Sequence, residues 1–429
     1  MAVADGSALL VLPYRRRHAH TGTRQTQPPA AVNQGMRMPD ASLFIIEPDF
    51  SGHRWRYVEW ALQAFAEAGR HCVVVTDEAN LGHPLAHALQ AGRHPGCAVM
   101  ALPLPADAGR GAGRVAYVRY WRIFRHLYRQ ACAAHRAGLV LVPYADYFLW
   151  ALPLLRSPFG ATPWLGITMR AGFHHHRVGV RAPRQPLVNA LKTLLFRRAL
   201  RTPGLKTLLS IDPTLPAWHG NRSGAALAYL ADPGPDMTPA TQSAARARLG
   251  LGPDSGPVLL VYGAITARKG IRELVYALAT RTGAPRLVVA GVQDEEVRAW
   301  LPAATASLSP PPLVLDRFIP EAQEADLFSA CDAVWLGYQG HYGMSGVLVQ
   351  AYRFGKPVLA TADGLIGWFC CGRDLGPVMD DLSVGAIHGA LDQLVQPPLP
   401  RAGGTGSHAH LLARHTVAEF KLTLRRAAA

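Results

Sequence analysis

The feature that most constrains this chain is an alternation of short apolar runs with longer amphipathic stretches, which starts near residue 42 and again near residue 258. The first apolar run covers 42–47, an amphipathic stretch follows over 51–69, and a second apolar run covers 72–76. Runs of this length predict buried strands, and the longer stretches predict helices. A strand, a helix and a strand in this order predict a right-handed parallel unit.

The same pattern predicts the elements that follow. In the first series, strands are predicted near 97–103, 139–143, 163–168 and 206–211, and helices near 114–137 and 186–200. In the second series, strands are predicted near 258–262, 287–290, 333–336 and 358–361, and helices near 271–280, 321–329, 345–354 and 384–395. We therefore predict an α/β fold of two doubly wound, Rossmann-like domains that face each other across a cleft. Ligands of such sheets bind at the carboxyl ends of the strands.

Turn-forming residues at 231–236 and 250–257 separate the two series and predict a domain boundary. We expect an N-terminal domain over 41–235, a C-terminal domain over 236–400, and a tail or helix over 401–429. Residues 1–40 lack a periodic pattern, and we interpret them as a disordered tail or as sequence ahead of a start at Met36 or Met38. Their longest apolar stretch is shorter than the core of a signal peptide.

The positive charge of the chain is concentrated in one region. The 429 residues carry a formal net charge of +15, and the stretch 110–201 contains 15 arginines, one lysine and a single acidic residue, Asp146. This distribution excludes a generally basic nucleic-acid coat protein, and the basic stretch contains no recognisable nucleic-acid recognition module. It predicts one positive face in the N-terminal domain, suited to an anionic acceptor or surface and not to nucleic acid.

Composition and cysteine spacing predict a globular protein of a reducing compartment. An apolar content of 49% with 17% charged residues excludes a disordered chain. No apolar run reaches the roughly 18 residues that a membrane-spanning helix needs. The six cysteines lack C-x-x-C spacing, so we interpret them as thiols and not as zinc ligands. The expected location is the cytoplasm, with peripheral membrane association as an open alternative.

The first segment with chemical character is 262–274, where a predicted strand leaves through Gly263 and reaches Arg268, Lys269 and Gly270 before a helix. Backbone amides, a helix N-terminus and two cations in one loop are what a diphosphate group requires. The chain has only five lysines, which makes Lys269 less typical of an incidental surface charge. The alternative is an ordinary helix start with solvated charges.

The second segment is 340–359, where a glycine-rich turn leads into a helix. The amides of Ser345 and Gly346 at the start of this helix are free to meet an anion, and Gln350 lies about one turn further in. The alternative is a closely packed helix start in which glycine only removes bulk.

These two segments, in this order and spacing, resemble the C-terminal domain of the GT-B glycosyltransferases, specifically the family 4-like group. That family shows G-R-x-x-x-x-K-G after its first C-domain strand and E-G-F-G-x-x-x-x-E-A-x-x-x-G-x-P-V at its donor helix. Lys269 and Gly270 match the first motif, 350–351 and 355–358 match the end of the second, and 363–367 looks like the glycine loop that follows it. The resemblance covers roughly 42–395 and is only architectural in the N-terminal half.

The chain departs from the family's motifs at three positions. Ala264 stands where the first motif has arginine, although Arg268 carries a charge next to the motif lysine. Tyr342 and Gln350 stand where the second motif has its two glutamates. In the family the second glutamate binds the donor ribose and the first contacts the sugar, so a glutamine is expected to make weaker, uncharged hydrogen bonds there.

The resemblance implies a glycosyltransferase that moves a sugar from a nucleotide diphosphate sugar to an acceptor, with retention and with neither metal nor cofactor. Lys269 and Arg268 would offset charge on the departing diphosphate. The residues implied to bind the donor are Gly263, Gly270, Tyr342, Gly343, Ser345, Gly346, Gln350, Gly364 and Leu365. The alternatives are a catalytically weak scaffold, because of the two missing glutamates, and a GT-B epimerase, which the scarcity of acids in the N-terminal half disfavours.

In the N-terminal half, the candidate residues follow predicted strands. The loop 49–56 resembles the family's first-strand loop and makes Gly52, His53 and Arg54 acceptor-side candidates, although an ordinary helix start capped by Ser51 fits as well. Asp146 is a candidate catalytic residue or a counter-ion of the surrounding arginines. The loop 169–176 supplies Arg170 and His174 as further acceptor-side candidates; its adjacent histidines do not have the spacing of a zinc site.

The predicted helix over 114–136 interleaves arginines with aromatic residues. This combination is typical of helices that lie on anionic membranes. The alternative is a helix whose aromatic residues pack into the core and whose arginines are solvated. The sequence leaves both readings open, and with them an anionic or lipid-linked acceptor.

Overall fold

The structure is a computed structural model that describes residues 41–52, 54–105, 115–220, 222–252, 255–395 and 408–429. The expectations for residues 1–40, for His53 and for Arg114 fall outside the described residues. All the elements below belong to one unit, Ala41–Ala429.

The N-terminal half is built on a parallel sheet of seven strands. They are β1 (Ser42–Ile46), β2 (Cys72–Asp77), β3 (Cys97–Leu102), β4 (Ala137–Val142), β5 (Trp164–Thr168), β6 (Leu205–Ser210) and β7 (Ala226–Tyr229). Their order in the sheet is β3-β2-β1-β4-β5-β6-β7. The helices are α1 (Arg54–Ala66), α2 (Pro84–Gln90), α3 (Val115–Cys132), α4 (Leu152–Leu155), α5 (Pro186–Ala199) and α6 (Thr214–His219). Every residue of the central strand β1 is buried, as expected for a parallel sheet with helices on both faces.

The C-terminal half repeats this plan with six strands. They are β8 (Val258–Tyr262), β9 (Arg286–Ala290), β10 (Leu313–Leu315), β11 (Ala333–Leu336), β12 (Val358–Thr361) and β13 (Val378–Met379), in the order β10-β9-β8-β11-β12-β13. The helices are α7 (Gln242–Arg248), α8 (Ile271–Ala279), α9 (Glu295–Thr305), α10 (Glu321–Ala330), α11 (Gly346–Arg353), α12 (Gly364–Cys370) and α13 (Val384–Val395). Two doubly wound parallel sheets confirm the predicted fold class.

The last helix, α14 (Val417–Ala428), returns to the N-terminal half and packs against α1. Its Phe420 is fully buried, with ring centroids 5.7 Å from Tyr57 and 5.5 Å from Trp60. The helix starts at Thr416, whose side chain accepts a hydrogen bond from the Glu419 amide. The end of the chain is therefore part of the N-terminal core.

Helix α3 carries the segment of interleaved arginines and aromatic residues. Trp121 and Phe124 are buried in the N-terminal core, and the Tyr120 ring lies 4.3 Å from that of Tyr147. Arg125 lies over the Trp121 ring at 5.0 Å. Of the two readings of this helix, the structure favours core packing of the aromatic residues. Among the helices of the described ranges, none is long and apolar enough to cross a membrane.

Candidate functional site

The carboxyl end of β8 opens into a loop whose shape depends on glycine. Gly263 has φ of +95°, in the region that favours glycine. Gly291, just after β9, has φ of +135°, and a Cβ there would collide with the Gly263 carbonyl oxygen. The ends of β8 and β9 therefore lie closer together than a residue with a Cβ at position 291 would allow.

Lys269 is held at the centre of this edge. Its buried Nζ donates hydrogen bonds to the Tyr262 carbonyl and the Tyr338 hydroxyl, both at 2.7 Å, and lies 4.3 Å from the centre of the Tyr338 ring. The Trp335 indole donates to the Lys269 carbonyl at 2.7 Å. An ammonium group has three N–H donors, so these contacts leave one for a ligand.

The loop around Lys269 lies beside the start of α11. A Cβ on Gly263 would lie 3.7 Å from Lys269 Nζ and 3.8 Å from Val347 Cγ2. Val347 is in the first turn of α11, where the amides have no acceptor within the helix. Gly270 is left-handed, with φ of +60°, and Arg268 is exposed. The structure thus brings Gly263, Lys269 and the helix N-terminus together, as the sequence predicts.

His341 and Tyr342 lie in the loop that connects β11 to α11. Burial, together with the charges of Arg268 and Lys269, lowers the pKa of His341, whose Nε2 lies 3.1 Å from the Met344 carbonyl oxygen. Burial and the nearby Asp363 raise the pKa of Tyr342. Neither side chain is a carboxylate, so the site beside the Lys269 loop has no carboxylate charge from these positions.

The glycine loop after β12 differs from its expected role. The Gly364 amide donates to the Arg181 carbonyl at 2.8 Å, and the Leu365 amide donates to the Tyr342 carbonyl at 3.2 Å. Both amides were expected to face the donor diphosphate, but protein carbonyls occupy them. Gly364 has φ of +65°, and a Cβ there would lie 2.6 Å from the His341 carbonyl oxygen. The loop therefore positions His341 and Tyr342 by close backbone contact.

Gln350 is buried in α11, and neither polar atom of its amide has a hydrogen-bond partner among the described residues. Its Nε2 lies against Gly234, where a Cβ would collide with it. Arg353, one turn later, donates to the carbonyls of Gly234 at 3.1 Å and Pro235 at 2.8 Å. A buried amide without partners is costly unless a ligand or water satisfies it, so Gln350 is a strong candidate for ligand contact.

Strands β1 and β4 end in a second group of polar side chains in the N-terminal half. Glu47 is fully buried, and its Oε1 accepts hydrogen bonds from the Asp49 amide and the Tyr147 hydroxyl, both at 3.2 Å. Burial, opposed by Arg54, raises the pKa of Glu47 to about 8. Arg54 forms an ion pair with Asp49 and lies 5.5 Å from the Tyr144 ring centre.

Asp146 and Arg170 join the same edge. Asp146 is buried, and its two oxygens accept hydrogen bonds from Thr168 Oγ1 at 2.7 Å and the Met169 amide at 2.6 Å. Burial raises the pKa of Asp146 despite these bonds. The carboxylate therefore anchors the end of β5 and holds Arg170, whose exposed guanidinium lies 5.7 Å from the Tyr144 ring.

His174 does not line the cleft as expected. Its side chain is fully buried; Nε2 lies 2.8 Å from Thr214 Oγ1, and burial lowers its pKa to about 4. His174, His175 and Asp212 offer three metal-ligand atoms within 4.8 Å of one another. His175 Nε2 is hydrogen-bonded to Asp212 at 2.8 Å, so these side chains are linked within the buried interior.

The remaining acceptor-side candidates are only partly described. Gly52 is exposed with φ of +64°, and a Cβ there would meet nothing within 4 Å. His53 is outside the described residues. A cavity of about 200 Å³ adjoins this loop. Its lining residues are Pro48, Asp49, Asp77, Ala79, Asn80, Leu104, Tyr120 and Ile123.

Sequence reasoning missed Glu47, Tyr144 and Tyr147. All three follow strands, which was the available signal, but Glu47 ends an apolar run and the tyrosines lie in the largely apolar stretch 142–152. Arg181 was also missed. It binds Asp363 at 3.0 Å and Asp380 at 2.9 Å, so it ties the N-terminal half to the glycine loop of the C-terminal half.

Comparison with solved structures decides the fold. Sucrose-phosphate synthase from Thermosynechococcus elongatus has a TM-score of 0.60 at 18% identity, covering 90% of this chain and 94% of that one. HepE from Anabaena in complex with UDP has a TM-score of 0.58 at 13% identity, covering 90% and 99%. WaaG, a glycosyltransferase involved in lipopolysaccharide biosynthesis, has a TM-score of 0.55 at 17% identity, covering 90% and 98%.

The chain has the GT-B fold. No protein-family model matches it. Among curated proteins, 2-deoxystreptamine glucosyltransferase of Streptomyces kanamyceticus is 30% identical over 241 residues, which are 53% of this chain and 60% of that protein. The chain therefore spans less than two thirds of this relative. In the GT-B frame, the Lys269 loop and α11 lie at the carboxyl edge of the C-terminal sheet, and the Glu47 and Asp146 group lies at that of the N-terminal sheet.

Proposed function

We propose that this protein is a glycosyltransferase that moves a sugar from a nucleotide diphosphate sugar to an acceptor. The observation that carries the proposal is the convergence of Gly263, the Lys269 ammonium and the first turn of α11. A cation with one N–H to spare, next to free helix amides, is a site for a diphosphate group. The GT-B fold and the curated glucosyltransferase relative support the same activity.

The reaction breaks the bond between the anomeric carbon and the diphosphate oxygen. A new bond forms between that carbon and an acceptor oxygen, and the proton of the acceptor hydroxyl passes to the departing diphosphate. Lys269, Arg268 and the amides of Ser345 and Gly346 would stabilise the charge on the departing diphosphate, so we propose transfer without a metal ion or cofactor. Retention of the anomeric configuration is part of the proposal and follows from the resemblance.

Gln350 is proposed to bind the ribose of the donor. Its unpartnered amide offers both a donor and an acceptor, which a vicinal diol can satisfy at once. HepE binds UDP, and a further HepE structure contains UDP-glucose. Uridine and glucose are therefore the first base and sugar to test here.

The acceptor is proposed to bind at the carboxyl edge of the N-terminal sheet, opposite the donor loop. Arg170 is exposed there and suits an anionic or lipid-linked acceptor. A membrane contact through 114–136 has less support, since Trp121 and Phe124 of α3 are in the core. A cytoplasmic location is also proposed, because the six cysteines lack the spacing of a disulfide framework.

Thermal stabilisation by nucleoside diphosphates tests the donor site. At 100 times its dissociation constant, a ligand adds about 2.7 kcal/mol to the stability of the folded state. We expect one of UDP, GDP and ADP to raise the melting temperature far more than the matching monophosphate does. Equal shifts for diphosphates and monophosphates would contradict a diphosphate site at Lys269.

A second candidate function is a GT-B scaffold that binds a nucleotide sugar without turnover. Tyr342 and Gln350 in place of carboxylates, and the occupied amides of Gly364 and Leu365, favour it. Hydrolysis of the donor separates the two functions. A transferase releases sugar to water slowly in the absence of acceptor, whereas a scaffold leaves the donor intact.

A further inference from the structure

Helix α5 turns four large apolar side chains outward. Leu187 and Leu191 are 86% and 55% exposed, and Val188 and Leu194 are exposed on the same helix. The opposite side of the helix buries Phe196 and Ala199, together with the polar residues Asn189 and Thr193. A surface helix normally buries its leucines. The exposed leucines of α5 are therefore unusual for a helix that has no partner on its outer side among the described residues.

The neighbouring helix α4 extends the same surface. Leu154 is 82% exposed, and α4 packs against α5. Nine large apolar side chains are exposed among the described residues, and five of them lie on these two helices. We call these five residues the α4–α5 apolar ridge: Leu154, Leu187, Val188, Leu191 and Leu194. A concentration of this kind marks an interaction surface, whereas scattered exposed apolar residues do not.

The charges in the chain segment that carries the ridge are of one sign. No acidic residue occurs in the sequence from 147 to 211. Arg156 follows α4, Arg184 precedes α5 and Arg198 lies in its last turn, and all three are exposed. Two copies of this surface would bring like charges together, so self-association is disfavoured. A surface with dense negative charge and an apolar layer beneath it matches both features.

We propose that the α4–α5 apolar ridge docks on the surface of an anionic lipid bilayer. The leucines insert between the acyl chains near the headgroups, and Arg156, Arg184 and Arg198 lie at the level of the lipid phosphates. The proposal does not depend on the sugar-transfer activity, because the ridge is formed by residues outside the donor and acceptor groups.

Sedimentation with vesicles tests the proposal. The full chain is expected to bind phosphatidylglycerol vesicles, to bind phosphatidylcholine vesicles weakly, and to release as salt rises from about 0.1 M to about 0.5 M. The double variant Leu187→Glu and Leu191→Glu should bind phosphatidylglycerol at least about a hundredfold more weakly, since burial of each leucine contributes roughly tenfold or more. Both residues are exposed, so the variant should keep the wild-type melting temperature.

Tyr276→Glu is the matched control, because Tyr276 is 64% exposed on α8 of the other half. It should bind phosphatidylglycerol vesicles like the wild type. Failure of the wild type to bind these vesicles, or equal losses in the control and the double variant, would overturn the proposal. A wild-type dimer that the double variant converts to a monomer without vesicles would overturn it as well, in favour of a second copy of the chain.

Discussion

The two carboxyl edges of this molecule use different chemistry. The C-terminal edge is built from glycines, helix amides and the Lys269 ammonium, and none of its described carboxylates is fully buried. The N-terminal edge contains the buried carboxylates Glu47 and Asp146, surrounded by tyrosines and arginines. The first suits a ligand of fixed negative charge, and the second suits groups that exchange protons.

This difference agrees with the proposed placement of the donor in the C-terminal half and of the acceptor in the N-terminal half. A diphosphate keeps its charge through binding and needs donors that do not titrate near neutral pH. The N-terminal edge instead contains Glu47, whose carboxyl has a pKa raised to about 8 by burial and therefore changes its charge just above neutral pH. Two predictions follow from this comparison. Carboxyl groups of the N-terminal edge should make the free energy of unfolding depend on pH. The backbone shape of the C-terminal edge should determine the affinity for nucleotides.

The largest expected effect is on the pH dependence of stability. The pKa of Glu47 rises from 4.5 to about 8 on folding, so the folded state keeps a proton that the unfolded chain releases as pH rises through this range. The stabilisation is therefore present at low pH and is lost as pH rises, by roughly 5 kcal/mol at about 1.36 kcal/mol per unit. Glu47→Gln removes this dependence. Its stability relative to wild type should increase steadily between pH 5 and pH 9 in urea unfolding.

The control for this prediction is Asp77→Asn, at the exit of β2, where no comparable burial occurs. The stability difference between Glu47→Gln and the wild type could also be the same at pH 5 and at pH 9. That result would mean that Glu47 does not have a raised pKa in the folded state.

The next effect is on nucleotide affinity. In Gly364→Ala, the Cβ would lie 2.6 Å from the His341 carbonyl oxygen, so the 341–343 segment has to move. A displacement of about 1 Å at a binding site can reduce function about a hundredfold, and we expect a loss of this size in nucleoside diphosphate affinity. Calorimetric titration measures it.

Gly340→Ala is the matched variant, because Gly340 has φ of +62° and open space around its Cβ position. It carries the left-handed backbone strain of about 1 kcal/mol without the collision. Equal affinity losses in the two variants would show that backbone strain alone, and not the close contact at Gly364, causes the loss of affinity.

The smallest effect concerns the linker between the halves. Tyr57 of α1 donates a hydrogen bond to Asp232, whose pKa burial raises to about 6. Tyr57→Phe removes the donor, so the pKa of Asp232 rises further and the folded state loses about 1 to 2 kcal/mol above pH 6. At pH 5, where Asp232 is largely protonated, the loss should be smaller. Urea unfolding at pH 5 and pH 8 measures both, and Tyr276→Phe on the exposed face of α8 should change neither.

The fold was predictable because central parallel strands are continuous apolar runs. Strands β8, β11 and β12 and helix α13 have the predicted bounds. The pattern missed short or peripheral elements such as β10, β13 and α9. For 401–429 the sequence left a tail or a helix open, and the structure has the helix α14, whose start carries the capping-box spacing of Thr416 and Glu419.

The candidate site was predictable only where its residues are close together in the sequence. Gly263, Lys269 and Gly270 lie in one loop and form a local motif, so the sequence alone could group them. The N-terminal group depends on contacts between separate strand exits, and no local pattern reports them. His174 illustrates the limit, because only its distant partner Thr214, some 40 positions later, explains why it is buried.

The central claim is that the donor binds in the C-terminal half. Calorimetric titration of the wild type, Lys269→Ala and Arg170→Ala tests it most directly. The ligand is UDP or whichever nucleoside diphosphate stabilises the protein most. Lys269→Ala removes a charge-assisted hydrogen bond and should weaken binding roughly tenfold to a hundredfold. Arg170→Ala, in the acceptor half, should leave affinity unchanged. Unchanged affinity in Lys269→Ala, or a comparable loss in Arg170→Ala, would contradict the assignment of the donor to the C-terminal half.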